Sequence, residues 1–248
     1  MPFSFLLSLA AGLATMLGGI TAVLRRRPSR TVLNIALGFS AGVMLAVSLA
    51  DLIPHAVSVL SIEMPGAAGV LSCVCACAAG ILAARLLDLM VECRRDDEGR
   101  LMKIGVFTML ALMLHNLPEG MAVYLSTEQD VILGMHLCAA IALHNIPEGI
   151  AVAMPICAAT GSRLLALIMT AVSGFAEPLG ALIMWKWLGL EPDSRGLALI
   201  FSGIAGLMTA TAFYELLPEA LGGNNREQGA AGALWGVIIM VAGCCIAS

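Results

Sequence analysis

His115 and Glu119 stand four residues apart in HNLPEG (115–120), and His144 and Glu148 repeat that spacing in HNIPEG (144–149). Imidazole and carboxylate both bind divalent first-row metals, and at i and i+4 of a helix they share a face one turn apart. Asn116 and Asn145 each stand three residues before their Glu, which adds an amide oxygen at a neighbouring position. Pro118 and Pro147 remove an N–H and crowd the carbonyls of Leu114 and Leu143, so the helices are expected to widen there and lend those carbonyls to a pathway. Two such faces brought together would gather nitrogen, amide and carboxylate donors around one ion. The mixture predicts a first-row divalent ion rather than a Ca or Mg cage. Without a thiolate it predicts weaker, exchangeable binding of the kind that conduction needs.

The surroundings of both phrases are apolar. Of 248 residues 60% are hydrophobic and 12% charged, against roughly 45–50% and about 25% in soluble domains. Mean hydropathy is +0.95. This composition predicts an all-α polytopic membrane protein. Apolar segments of spanning length cover 3–24, 32–60, 67–88, 101–126, 131–158, 164–188, 196–221 and 230–247, eight transmembrane helices in a single transmembrane domain over 1–248. Net charge is −4 and no basic tract accompanies an aromatic platform, so nucleic acid is not an expected partner. Cys73, Cys75 and Cys77 lie two apart and cannot share one helical face, so they read as small apolar filler rather than a thiolate site. Residues 1–24 lack a basic n-region and their positive charges follow the apolar run, which predicts a retained helix rather than a signal peptide.

Basic residues orient the chain. With the N-terminus outside, Arg25, Arg26, Arg27, Arg30, Arg85, Arg94, Arg95, Arg100, Lys103, Arg163 and Arg226 fall inside, and Lys186 and Arg195 outside. The positive-inside rule therefore predicts both termini outside. In that topology ADLIPHA (50–56) and YELLPEA (214–220) lie on helices of opposite direction, as do the two HNxPEG phrases. Matched, Pro-interrupted segments of opposite direction are the signature of inverted repeats, here 3+2+3, with the substrate site near the midplane.

Ionisable residues within spanning helices are costly and mark functional sites by default. Beyond the motif pairs they include Glu177, which precedes Pro178, then Asp51, His55, Glu215 and Glu219, with His136 nearer a helix end. His136, His55 and Asp51 also fit an interfacial anchor. Two other functions compete with metal transport. An intramembrane di-metal enzyme, hydrolase or oxygenase, could draw Glu and His from four helices, but HExxH is absent and no base is left over. A structural bundle would require the buried charges to be inert. No GxxxxGK[ST] is present, which speaks against ATP-driven pumping by this chain.

HNLPEG and HNIPEG, with AGVML (41–45), FAEP (175–178) and YELLPEA, resemble the ZIP family of divalent metal transporters, and most of all its bacterial broad-specificity zinc-uptake branch. The resemblance covers essentially the whole chain. It implies a transporter, not an enzyme, in the plasma membrane, bringing Zn²⁺, and by extension Fe²⁺, Mn²⁺, Co²⁺ or Cd²⁺, into the cytoplasm with no prosthetic group. It further implies a two-metal site: His115, Glu119, His144 and Glu148 with Met44 for the first ion, and Asn116, Glu119, Asn145, Glu148 and Glu177 for the second. Helices one, four, five and six are implied to slide against two, three, seven and eight, often in a homodimer, with lipid around it. The chain departs from the pattern in having Asn145 where some relatives carry Asp, Tyr214 where His is frequent, His55 where Glu is frequent, and only ECRRDDEGR (92–100) between helices three and four.

Overall fold

A computed structural model describes residues 3–24, 28–91, 96–188 and 194–247. Among these every element is helical. The helices are α1 (Phe3–Ala22), α2 (Arg30–Glu63), α3 (Ala68–Met90), α4 (Asp97–Gln129), α5 (Val131–Thr160), α6 (Arg163–Lys186), α7 (Ser194–Ala220) and α8 (Arg226–Ala247). The first seven are long and apolar enough to cross a membrane. The eighth has 22 residues, about 33 Å at 1.5 Å per residue, against a hydrocarbon core of about 30 Å. The chain is a polytopic α-helical membrane protein.

Several helices begin before their apolar runs because polar residues cap them. Ser29, Asp96 and Ser162 accept from the N–H groups of Val32, Gly99 and Leu165 at the starts of α2, α4 and α6. A single residue, Asp130, joins α4 to α5, and its Oδ1 accepts from Ile132 N at 2.7 Å and Leu133 N at 3.0 Å. So tight a link makes α4 and α5 an antiparallel pair.

Packing divides the helices into groups. α1, α4, α5 and α6 pack on one another, α2 lies along α8, and α3 lies along α7. Arg163 Nη2 donates to Leu24 O at 2.8 Å, joining the end of α1 to the start of α6. Arg30 at the start of α2, Asp97 and Arg100 at the start of α4, and Glu219 at the end of α7 form one ion-pair cluster. In it Arg30 lies 2.8 Å from Glu219 and 3.1 Å from Asp97, and Arg100 pairs with both acids. Beside it Lys103 of α4 pairs with Asp88 of α3. Arg30, Arg85, Arg100, Lys103 and Arg163 thus gather at one end of the bundle, while Ser4 Oγ meets Glu128 Oε1 at 2.8 Å at the other. Arg25, Arg26, Arg27, Arg94 and Arg95, which also entered the orientation count, lie outside the described residues.

The two matched phrases fold alike. In α2 the turn Ser48–Leu52 is a π-helix, and Ile53 N–H reaches back to Ser48 O. In α7 the turn Ala212–Leu216 is a π-helix, and Leu217 N–H reaches Ala212 O. Each wide turn carries an acid at the corresponding place, Asp51 or Glu215, and is followed by a proline, Pro54 or Pro218, that cannot supply the next i−4 bond. The expectation of widening at Pro118 and Pro147 is different in outcome. α4 and α5 remain α-helical through Pro118, Pro147 and Pro155, because close packing on neighbouring helices holds the turn where one hydrogen bond is lost. Cys75 is exposed and points away from buried Cys73, whereas half-buried Cys77 lies one turn on, on the Cys73 face, with its thiol beside that of Cys73; the three do not share one face.

Candidate metal site

The one-residue link sets the depth of the two motifs. His115 precedes Asp130 by 15 residues and His144 follows it by 14, so both residues lie about 21–23 Å along their helices from the turn. Antiparallel packing then crosses the pairs. His115 Nε2 is 3.3 Å from Glu148 Oε1, and His144 Nε2 is 3.5 Å from Glu119 Oε1. All four residues are buried, none more than 4% exposed.

α1 and α6 close the site from one side. Asn116 Nδ2 donates to Ser173 O of α6 at 3.1 Å. Asn145 Nδ2 donates to Ala11 O of α1 at 3.0 Å and to Glu177 Oε1 of α6 at 3.1 Å. Glu177 follows the break at Phe175, in the first turn of the resumed helix, and is fully buried. The final glycines of both motifs admit these neighbours. A Cβ on Gly120 would lie 1.9 Å from Glu177 O, and one on Gly149 would lie 1.9 Å from Thr15 O, so only hydrogen fits where α6 meets α4 and where α1 meets α5.

α2 closes the opposite side. Ser40 Oγ donates to Pro147 O at 2.6 Å. Met44 is one turn further along α2, and because α2 and α5 run in opposite directions, this puts it level with His144. Met44 is fully buried, in the apolar cluster that contains Leu112 and Ala151, each one turn from a motif residue. Asp51, two turns beyond Met44, is exposed and acts electrostatically on His144. His55 lies farther out and stacks edge-on with Phe201 at 6.5 Å. Glu219 belongs to the ion-pair cluster at the basic end, and Glu215 lies near Asp88 and Lys103. Neither Glu215 nor Glu219 is brought to the motifs.

Many of these buried donors have no hydrogen-bond partner: both ring nitrogens of His115 and His144, both oxygens of Glu148, Oε2 of Glu119 and Glu177, and Oδ1 of Asn116 and Asn145. Buried polar atoms are ordinarily paired, because desolvation without a partner costs about 1–3 kcal/mol each. Such a concentration of orphans at one depth suits a dehydrated cation. Among the described residues, no group of three or more His, Cys, Asp or Glu is arranged to hold a metal ion as it stands. The crossed pairs nonetheless already hold nitrogen and oxygen 3.3–3.5 Å apart, about the separation of two donors that each sit 2.0–2.2 Å from one tetrahedral ion.

Comparison with known proteins gives the family. The sequence pattern described as ZIP Zinc transporter matches residues 91–196, the stretch that carries α4, α5 and Glu177. Over nearly its full length the chain is similar to proteins named Zinc transporter ZupT. The relative from Streptococcus mutans is 37% identical over 249 residues, which is 96% of this chain and 94% of the relative. Those from Chlorobaculum parvum and Corynebacterium glutamicum are 37% and 38% identical, over 96% and 97% of this chain and 95% and 97% of theirs. The chain belongs to the ZIP zinc transporter family. As a ZIP family member it is a transporter rather than an enzyme, and its cargo is a divalent metal ion.

The part of α1 was not anticipated by reading side chains, since its contribution is the main-chain carbonyl of Ala11. The signal was the run of small residues Ala10, Ala11 and Gly12, which lets that backbone come near. Ser40 and the Ser173 carbonyl were missed likewise.

Proposed function

We propose that this chain imports divalent first-row metal ions into the cytoplasm, chiefly Zn²⁺ with Fe²⁺ and Mn²⁺, as a secondary transporter of the cell membrane. Both termini lie outside, and the basic end of the bundle faces the cytoplasm. The observation that carries the reading is the crossed pair of His–Glu motifs, equally deep, buried and rich in unpartnered donors. His115, Glu119, His144 and Glu148 would take the first ion, with Met44 alongside. Asn116, Asn145 and Glu177 would supply the second donor set of a two-metal centre between α4, α5 and α6, sharing Glu119 and Glu148. The nitrogen and oxygen of each crossed pair, 3.3–3.5 Å apart, already stand at the spacing of two ligands on one tetrahedral ion. The relatives named as zinc transporters support zinc as the main cargo.

Alternating access would follow from the grouping of the helices, with α1, α4, α5 and α6 moving as one body against α2, α3, α7 and α8. The ion-pair cluster of Arg30, Asp97, Arg100 and Glu219 would then join the two bodies at the cytoplasmic end. The exposed apolar face of α3, with Leu71, Val74 and Leu82, would lie against lipid or against a second copy in a homodimer.

Zinc uptake into liposomes holding the purified protein, without ATP, tests this function. Accumulation above protein-free liposomes is expected, competed by Fe²⁺ and Mn²⁺; equal accumulation in both would overturn it.

A further inference from the structure

Cys73 and Cys77 stand one helical turn apart on α3, and neither belongs to the proposed transport site. Residues at i and i+4 share a face. Cys73 is buried, Cys77 is half-buried, and the Cys77 thiol is hydrogen-bonded to that of Cys73. From α7, Ser202 Oγ lies 3.3 Å from Cys73 Sγ and 2.8 Å from Ala198 O. A hydroxyl both accepts and donates, so Ser202 can accept from a thiol at Cys73, or turn its own hydrogen from the carbonyl to a thiolate there.

Close packing holds the backbone that carries the pair. A Cβ on Gly206 would lie 2.1 Å from Cys77 O, and one on Gly80 would lie 1.8 Å from Gly203 O, so α3 and α7 meet main chain to main chain beside Cys77. Two thiols fixed in mutual contact act as a chelate, since an ion bound by one already faces the other.

The surroundings select the ion. Ala56, Leu60 and Ala198 complete the buried apolar cluster around Cys73. Net charge is costly there, and two thiolates are neutralised by a divalent cation. Thiolate sulfur favours soft ions. Among the described residues no group of three or more His, Cys, Asp or Glu is arranged to hold a metal ion, so an ion here must be satisfied by two strong donors. Zn²⁺ takes four. A soft divalent ion that is stable between two sulfurs, as Hg²⁺ is, meets all three conditions.

We infer that Cys73 and Cys77 form a binding site for a soft, two-coordinate divalent cation of the Hg²⁺ class, carried by α3 and separate from the His–Glu motifs. Mercuric chloride reaches it as a neutral molecule. Two Hg–Cl bonds break, two Hg–S bonds form, and the two thiol protons leave with the chlorides, so nothing is oxidised or reduced. The transport site shares no residue with this one, and the two readings stand or fall separately.

Anomalous diffraction at the mercury edge, from wild-type crystals soaked in HgCl₂, tests the site directly. A single peak bridging Cys73 Sγ and Cys77 Sγ is expected. In solution, after washing with a monothiol and excess Zn²⁺, wild type should retain one mercury per chain more than Cys77→Ser, with affinity at this site about 100-fold or more lower in the variant. Cys75→Ser should retain as much as wild type. Separate peaks on the two thiols, or no peak at either, would overturn the inference without reference to any variant. Equal retention by wild type and by Cys77→Ser with a wild-type melting temperature would overturn it too, as would loss of the bridging mercury to Zn²⁺.

Discussion

Gly120 offers the sharpest test of how the packing serves the site. It follows Glu119 in α4 and rests on the backbone of Glu177 in α6. A Cβ at this position would lie 1.9 Å from Glu177 O, 2.6 Å from its carbonyl carbon and 2.8 Å from its Cα, where side-chain carbons essentially never come within 3.0 Å. All three obstacles are main chain, so no side chain can swing aside. Gly120→Ala must therefore part α4 and α6 by about 1 Å (3.0 less 1.9) at the level of two proposed ligands. Overpacking of this kind costs about 1–3 kcal/mol. Metal–ligand distances hold to about 0.2 Å, so the displacement exceeds what coordination tolerates several-fold. Zinc uptake in liposomes is expected to fall at least about tenfold, a loss of about 1.4 kcal/mol in site free energy, with a lower melting temperature in detergent. Gly243→Ala is the control, because a Cβ there meets nothing within 4 Å and alanine favours helix by about 1 kcal/mol. Uptake and melting of Gly120→Ala that match wild type would refute the close-approach argument.

Other sites give further expectations. Glu119→Gln and Glu148→Gln each remove a negative charge from the crossed pairs, and zinc affinity measured by calorimetry should drop by about 10–100-fold or more; unchanged affinity would remove these carboxylates from the site. Ser40→Ala deletes the 2.6 Å bond to Pro147 O, which should cost about 1 kcal/mol in unfolding free energy; an unaltered denaturation midpoint would count against that contact. Glu219→Gln leaves Arg30 and Arg100 sharing Asp97 alone. Removing one partner of a buried ion pair costs about 3–5 kcal/mol, but the two guanidiniums left behind are roughly half exposed, so a loss of about 1–2 kcal/mol is expected in the same assay. Arg100→Gln, which removes one of those two guanidiniums, should recover part of the loss when combined with it, and simple additivity of the two losses would argue against coupling.

The motif pair was legible because its logic is periodic. His and Glu at i and i+4 share a face on any helix, and one residue between α4 and α5 puts both motifs at one depth. The crossing of partners, His115 to Glu148 and His144 to Glu119, also follows from two helices running in opposite directions. The echo between ADLIPHA and YELLPEA was visible as well, but not that both would form π-turns carrying Asp51 and Glu215. A proline explains the lost bond without saying which side of it the helix widens. Pro118 and Pro147 show the converse, since helices packed through Gly120 and Gly149 keep their α geometry. Ala11 and Ser173 act through carbonyls that every residue possesses, so their roles depend on which backbones come close. Helix ends ran past the apolar segments at Arg30, Asp97 and Arg226, because a helix emerging into water needs caps and not hydrophobicity.

The central claim is that His115, Glu119, His144 and Glu148 form one metal site between α4 and α5. Crystals of the purified protein soaked in Zn²⁺ and measured on either side of the zinc edge test it most directly. The account predicts an anomalous peak among these four side chains, with imidazole nitrogens and carboxylate oxygens about 2.0–2.2 Å from the ion. Strong anomalous peaks elsewhere in the bundle, with none between the two motifs, would contradict it.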